Sequence, residues 1–264
     1  MTRISINDLS SFKQTKKRFT MLTSYDSLTA SLFDELDIPV LLVGDSAANL
    51  VFGHDTTIPV TVEDMLPIVN AVARSTKKAM IVADMPFGSY QTSKTQALES
   101  ATKFLKAGAQ AIKLEGGQRV SETITSLVEA GIPVMGHLGL TPQSVNAFGG
   151  YKVQGRGEKA NQILEDAKVL EKAGAFSIVL EAIPADLAKE ITNSISIPTI
   201  GIGAGPDTDG QVMVWQDLVG LTPDPKPKFV KRYLNLREEI SKVVKEFSQD
   251  VESGKYPDAD HLYK

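Results

Sequence analysis

Five short apolar runs in this chain each end on an ionisable residue: VLLVGDS (Asp45), MIVAD (Asp84), AIKLE (Lys113 and Glu115), PVMGH (His137) and SIVLE (Glu181). A strand buried on both faces of a parallel sheet reads as just such a run of Val, Ile and Leu. The pattern predicts strands over Arg18–Thr23, Val40–Gly44, Met80–Ala83, Ala111–Leu114, Pro133–Gly136, Ser177–Leu180, Thr199–Ile202 and Val212–Trp215. Between them the hydrophobic period becomes helical. Asp26 precedes Leu28, Leu32, Phe33 and Leu36 at helical spacing. Thr61 with Asp64 resembles a capping box, and Ser93 with Gln96 matches one more closely. Three Ala-Gly steps (Gly108, Gly131, Gly174) sit where a helix would end and the next strand begin. Eight strands alternating with helices predict a closed (β/α)8 barrel, an α/β fold.

No linker rich in Pro, Gly or Ser divides the 264 residues, so the chain reads as a single barrel domain over 1–264. A long glycine-spotted loop, Gly139–Gly157, follows the fifth strand, and loops of that length usually carry function. Pro223, Pro225 and Pro227 break the chain after the eighth strand, which places the start of a C-terminal extension at about 223. A helix carrying Val230, Tyr233, Leu234, Val243, Val244 and Phe247 is expected there, followed by a docked tail with Tyr256 and Tyr263.

Hydrophobic content of 42%, charged content of 23% and a net charge of -4 are those of a soluble globular protein. The only basic run, Lys16-Lys17-Arg18, is too short for a nucleic-acid-binding stripe. No stretch is long enough to span a membrane, and the N-terminus lacks a signal-peptide core, so a cytoplasmic location is the default expectation. The absence of cysteine excludes disulfides, thiolate zinc sites and a cysteine nucleophile.

In parallel α/β folds the carboxyl ends of the strands line the ligand site. Ionisable residues at that end of several strands therefore predict one reactive cavity. Asp45 and Asp84 end neighbouring strands, and two carboxylates that close need a proton or a cation between them. With three histidines and no cysteine the donors are hard oxygens, which favours Mg²⁺ over zinc. The alternative is that each Asp caps a loop. Glu181, beside an apolar wall, is a candidate general base; the alternative is a salt bridge. Lys113 and Glu115 share a strand face, either as a structural pair or with Lys113 stabilising an enolate oxygen. His137 is a candidate hydrogen-bonding residue, whereas His54 and His261 lie in a loop and the tail. Gly201–Gly205 is a poor dinucleotide motif and suits either an anion-binding turn or a plain tight turn. Trp215 is expected to end strand eight in the core.

Ten ordered blocks extend this reading, among them VGDSAANLVFGHDTTIPVT (43–61), ADMPFGSYQ (83–91), IKLEGG (112–117), GIPVMGHLGLTPQSV (131–145), VLEAIP (179–184) and DGQVMVWQDLVGL (209–221). Over nearly its whole length the chain closely resembles the ketopantoate hydroxymethyltransferases. The resemblance implies a TIM barrel of the phosphoenolpyruvate/pyruvate type with a C-terminal helical extension. It implies transfer of a hydroxymethyl group from 5,10-methylenetetrahydrofolate to 3-methyl-2-oxobutanoate, giving 2-dehydropantoate, the first step of pantothenate synthesis. It also implies Mg²⁺ held by Asp45 and Asp84 with Glu115, and substrate contacts from Asp45, Ser46, Asp84, Lys113 and His137. Glu181 becomes the base, and the assembly a homodecamer with small-molecule substrates as its other partners.

The chain departs from that pattern at Met65–Asn70, where Pro67 should kink or delay a helix, at Ala182 and at Trp215. Two other classes compete: a Mg²⁺-dependent carbon–carbon lyase of the isocitrate lyase type, and a barrel that only binds ligand. The first usually needs a cysteine-containing loop. The second typically loses the base or a metal ligand, and all are present here.

Overall fold

The computed structural model describes residues 2–263. Among them are eight strands: β1 (Phe19–Thr23), β2 (Val40–Val43), β3 (Met80–Asp84), β4 (Ala111–Glu115), β5 (Val134–Gly139), β6 (Ser177–Glu181), β7 (Thr199–Ile202) and β8 (Gly210–Met213). All neighbours pair in parallel and β8 pairs with β1, which closes the barrel. The longer helices of this unit are α1 (Ile6–Gln14), α2 (Ser27–Glu35), α4 (Val62–Ser75), α5 (Lys94–Lys106), α6 (Ser121–Glu129), α8 (Lys159–Lys172) and α9 (Ala185–Ser194). Short α3 (Ala47–Leu50) and α7 (Val145–Phe148) lie in the loops after β2 and β5. No helix joins β7 to β8.

The barrel interior explains why chemistry collects at one end. Alternate residues of each strand share a face. Met80 and Val82 of β3, Ala111 of β4, Met135 of β5 and Val179 of β6 belong to one buried apolar cluster. Continuing those rows by steps of two reaches Asp84, Lys113 and Glu115, His137, and Glu181. Each inward row is thus apolar at its lower end and ionisable at its upper end. At the amino end, Leu9 of α1 joins the same cluster with Phe19, and Ile6 and Phe12 pack against it.

Several local expectations are corrected. Strand eight begins earlier than its apolar run: Gly210 pairs with Phe19, and a Cβ there would lie 2.7 Å from the Phe19 ring. Trp215 consequently opens α10 (Trp215–Leu218) instead of ending the strand. The reciprocal capping box is Thr61 with Asp64, whereas Gln96 turns its side chain to Thr92 and leaves Ser93 a one-way cap. α4 begins at Val62 and continues across Pro67, helped by that box and by burial of Val62, Met65, Ile68, Val69 and Val72. Leu28, Leu32 and Leu36 point outward (83%, 51% and 64% exposed), because α2 turns Asp34 inward to reach the backbone before β3.

The chain divides into two compact units, one running to Met213 and the other from Val214 on. In the second, α11 (Leu236–Glu252) carries Val243, Val244 and Phe247 and buries none of its residues. Val230, Tyr233 and Leu234 precede it in irregular backbone. That segment is tied to carbonyls of its own unit, through Tyr233 N–H to Leu218 and Leu236 N–H to Val219, rather than wound into the helix. The tail folds against α11 through Tyr256, whose ring centroid is 5.4 Å from that of Phe247, while Tyr263 is fully exposed. Among the described residues no helix is long and apolar enough to cross a membrane.

Candidate active site

Six of the seven residues singled out from the sequence meet in direct contacts at the carboxyl end of the barrel. Register sets the first pairs: Asp84 lies beside Lys113, and Glu115 beside His137. Lys113 Nζ is 2.5 Å from Asp84 Oδ1 and 3.4 Å from His137 Nδ1. His137 bridges two carboxylates, with Nδ1 3.2 Å from Glu115 Oε1 and Nε2 3.2 Å from Glu181 Oε2. These are charge contacts rather than aligned hydrogen bonds, since neither Glu115 Oε1 nor His137 Nε2 has a partner at hydrogen-bonding geometry. Asp45, two residues past β2, donates its backbone N–H to Asp84 Oδ2 at 3.2 Å. Ser46 is the seventh, and its Oγ is 2.7 Å from the hydroxyl of Tyr25. His54 and His261 are exposed and take no part, as expected.

Glu181 is the most accessible of the set, with a side chain 17% exposed against 4% or less for Lys113, Asp84, Glu115 and His137. Its position depends on close backbone packing. A Cβ on Gly139, whose φ is +94°, would lie 2.2 Å from the Glu181 carbonyl oxygen, and Leu140 N–H donates to that oxygen at 2.8 Å. The next residue, Ala182, holds a left-handed φ of 47°, a local strain of about 1 kcal/mol. Its N–H donates to Ile202 and its carbonyl accepts from Gln154, so neighbouring segments hold the strained turn in place.

The charges do not balance among these side chains. Burial, then the Asp84 and Glu115 charges, push the Asp45 carboxyl well above the ordinary range, against Lys113 and a bond from Gln143. Burial also raises Asp84, although Lys113 opposes it. Burial alone would raise Glu115, but contact with His137 and the Lys113 charge hold it low. Burial and Lys113 would lower His137, yet Glu115 and Glu181 outweigh them and raise it to about 9, so it is cationic at neutral pH. Burial would lower Lys113, but the Asp84, Glu115 and Asp45 charges outweigh it and keep its ammonium protonated. Counted as formal charges, four carboxylates (Asp45, Asp84, Glu115, Glu181) face two cations (Lys113, His137), an excess of two negative charges that a divalent ion would balance. The oxygen-only carboxylate donors and the unbonded Glu115 Oε1 fit a hard cation. Among the described residues, no three His, Asp or Glu are placed to enclose a metal by themselves.

Three residues here carried no signal in the strand-end pattern. Gln143 reaches Asp45 Oδ2 with its side chain and Glu115 Oε2 with its backbone N–H. Tyr90 donates to Gln143 Oε1 and accepts from Glu115 N–H. Tyr25 supports Ser46. All three lie inside or beside the blocks that carry the family resemblance, yet only the folded chain brings them to the site.

A family model for ketopantoate hydroxymethyltransferase matches residues 3–259. The chain belongs to that family. A 3-methyl-2-oxobutanoate hydroxymethyltransferase of Thermobifida fusca is 58% identical, covering 99% of this chain and 94% of its own. The family's representative from Mycobacterium marinum is 51% identical, with 99% and 89% covered. Among solved structures, phosphonopyruvate hydrolase with oxalate and Mg²⁺ superposes with a TM-score of 0.65 at 14% identity, covering 100% of this chain and 92% of that one. A 2,3-dimethylmalate lyase of the PEP mutase/isocitrate lyase superfamily gives 0.64 at 13%, covering 99% and 89%. At such identity these two speak for the barrel fold, as the sequence predicts, and for nothing finer.

Proposed function

We propose that this enzyme transfers a hydroxymethyl group from 5,10-methylenetetrahydrofolate to 3-methyl-2-oxobutanoate, giving 2-dehydropantoate, with a divalent cation, Mg²⁺, at the carboxylate cluster. The observation that carries the reading is the contact chain Glu181–His137–Glu115 beside Asp84–Lys113, in a member of this family. Asp45 and Asp84 would hold the cation, with Glu115 behind them. Bound there, it supplies Lewis-acid polarisation of the substrate's keto and carboxylate oxygens, which makes the C3 hydrogen acidic.

The side chains provide the rest. Glu181, at the accessible edge, takes the C3 proton. Cationic His137 stands 3.2 Å from its Oε2. Lys113 offers a fixed positive charge to the enolate oxygen. Ser46, whose Oγ is 2.7 Å from the Tyr25 hydroxyl, would hydrogen-bond the substrate carboxylate. The new carbon–carbon bond forms between C3 and the folate-borne carbon, tetrahydrofolate leaves, and one water supplies the oxygen of the new hydroxyl.

The test is a product assay with both substrates and Mg²⁺, read by mass spectrometry. Dehydropantoate that depends on the folate donor is the expected result. Cleavage of 2-hydroxy acids without folate would favour the lyase instead.

A further inference from the structure

The amide of Gln143 has every hydrogen-bonding position filled, and it does so where four strands end. Its residue is 5% exposed and lies on the helical turn Pro142–Ser144, past the end of β5. One amide N–H donates to Asp45 Oδ2 at 2.9 Å and the other to the Met85 carbonyl at 2.9 Å. Its Oε1 accepts from the Tyr90 hydroxyl at 2.9 Å and from Gln91 Nε2 at 3.2 Å. Its backbone N–H donates to Glu115 Oε2 at 3.0 Å. One residue of the β5 loop therefore grips carboxylates that follow β2 and end β4, together with the segment after β3.

We propose that Gln143 is a positioning residue for the cation: it fixes one oxygen each of Asp45 and Glu115 and so presents the other oxygen of each toward the ion. The proposal rests on the reading of these carboxylates as the cation's site. Glu115 is consistent with it, because Oε2 is bonded to Gln143 while buried Oε1 has no aligned hydrogen bond and only the 3.2 Å charge contact with His137 Nδ1. A saturated amide holds its side chain in one geometry, and Tyr90, whose hydroxyl accepts from Glu115 N–H, sets the amide's orientation. Groups that orient metal ligands in this way typically govern affinity by about 10–100-fold. A tie of purely structural value would affect folding and the β5 loop without altering affinity for metal in the folded protein.

The experiment measures Mn²⁺ binding by the electron paramagnetic resonance of free ion, without substrates, for wild type, Gln143→Met and Tyr90→Phe. Gln143→Met keeps the side-chain length and removes both donors. Expected is a dissociation constant raised about 10–100-fold, with kcat recovered to within a few-fold at saturating Mg²⁺. Tyr90→Phe, which removes one hydrogen bond to the amide, shifts affinity the same way by a smaller factor and carries the test if Gln143→Met does not fold. Wild-type affinity in the folded variants, or kcat lost at all metal concentrations with affinity intact, overturns the proposal. Failure of the wild type itself to bind Mn²⁺ would instead overturn the cation site on which it rests.

Discussion

At the amino end of the barrel, Asp34 accepts backbone N–H bonds from Lys77, Lys78 and Ala79 at 2.8, 2.9 and 2.7 Å. Burial would raise its pKa, but those three donors and the Arg3 charge hold it below the usual carboxylate value. Asp209, at the same end, pairs with Lys13 at 2.9 Å and accepts from Thr199 N–H at 2.8 Å. At the carboxyl end Asp45 is likewise buried, but there burial, reinforced by the Asp84 and Glu115 charges, outweighs its donors and pushes it the opposite way. The fold thus treats the same residue type in two ways. Carboxylates supplied with donors stabilise the barrel, whereas the crowded carboxylates are the ones to which we assign the cation. The division matches the general separation of stability and catalysis between the two faces of such barrels.

Breaking the stabilising end should have the largest effect. Asp34→Ala leaves three backbone donors without their acceptor and should cost about 3–5 kcal/mol, read as a lower midpoint in urea. The same carboxylate gives acid sensitivity a defined sign. Because its folded pKa is depressed, its contribution is present above the ordinary carboxylate value of about 3.9 and is lost as pH falls through the folded value. Wild type should therefore lose stability below about pH 4 more steeply than Asp34→Ala, and parallel acid titrations would contradict the assignment. At the other end the expected effect is smaller and opposite. Asp45→Asn removes a crowded charge and should raise the melting temperature of the metal-free protein by about 2–4 °C, on the order of 1 kcal/mol. It should also abolish the stabilisation that Mg²⁺ gives wild type. A fall in melting temperature without metal would mean that Asp45 serves the fold, as Asp34 does.

Much of this was legible in the sequence because strand periodicity fixes which residues point inward. The runs ending at Asp84, Lys113–Glu115, His137 and Glu181 revealed both the barrel and the end at which chemistry collects. Less visible was whatever depends on contacts across loops. The amide of Gln143 has no periodic signature, and its role appears only when the β5 loop is laid over Asp45 and Glu115. The exposed face of α2 was misleading for a related reason. Its leucines have helical spacing, but Asp34 sets the orientation of the helix by its bonds to the backbone before β3. Strand eight began early because Gly210, which adds nothing to an apolar run, makes room for the Phe19 ring.

The central claim, that this cluster enolises a 2-oxo acid through Glu181, is tested most directly by proton NMR of 3-methyl-2-oxobutanoate in D₂O without folate. The account predicts that wild type with Mg²⁺ exchanges the C3 proton for deuterium. Without the metal the signal should persist, and Glu181→Gln should slow exchange by about 10²–10⁴-fold while still binding the keto acid. Exchange at the wild-type rate in Glu181→Gln, or exchange indifferent to Mg²⁺, would contradict it.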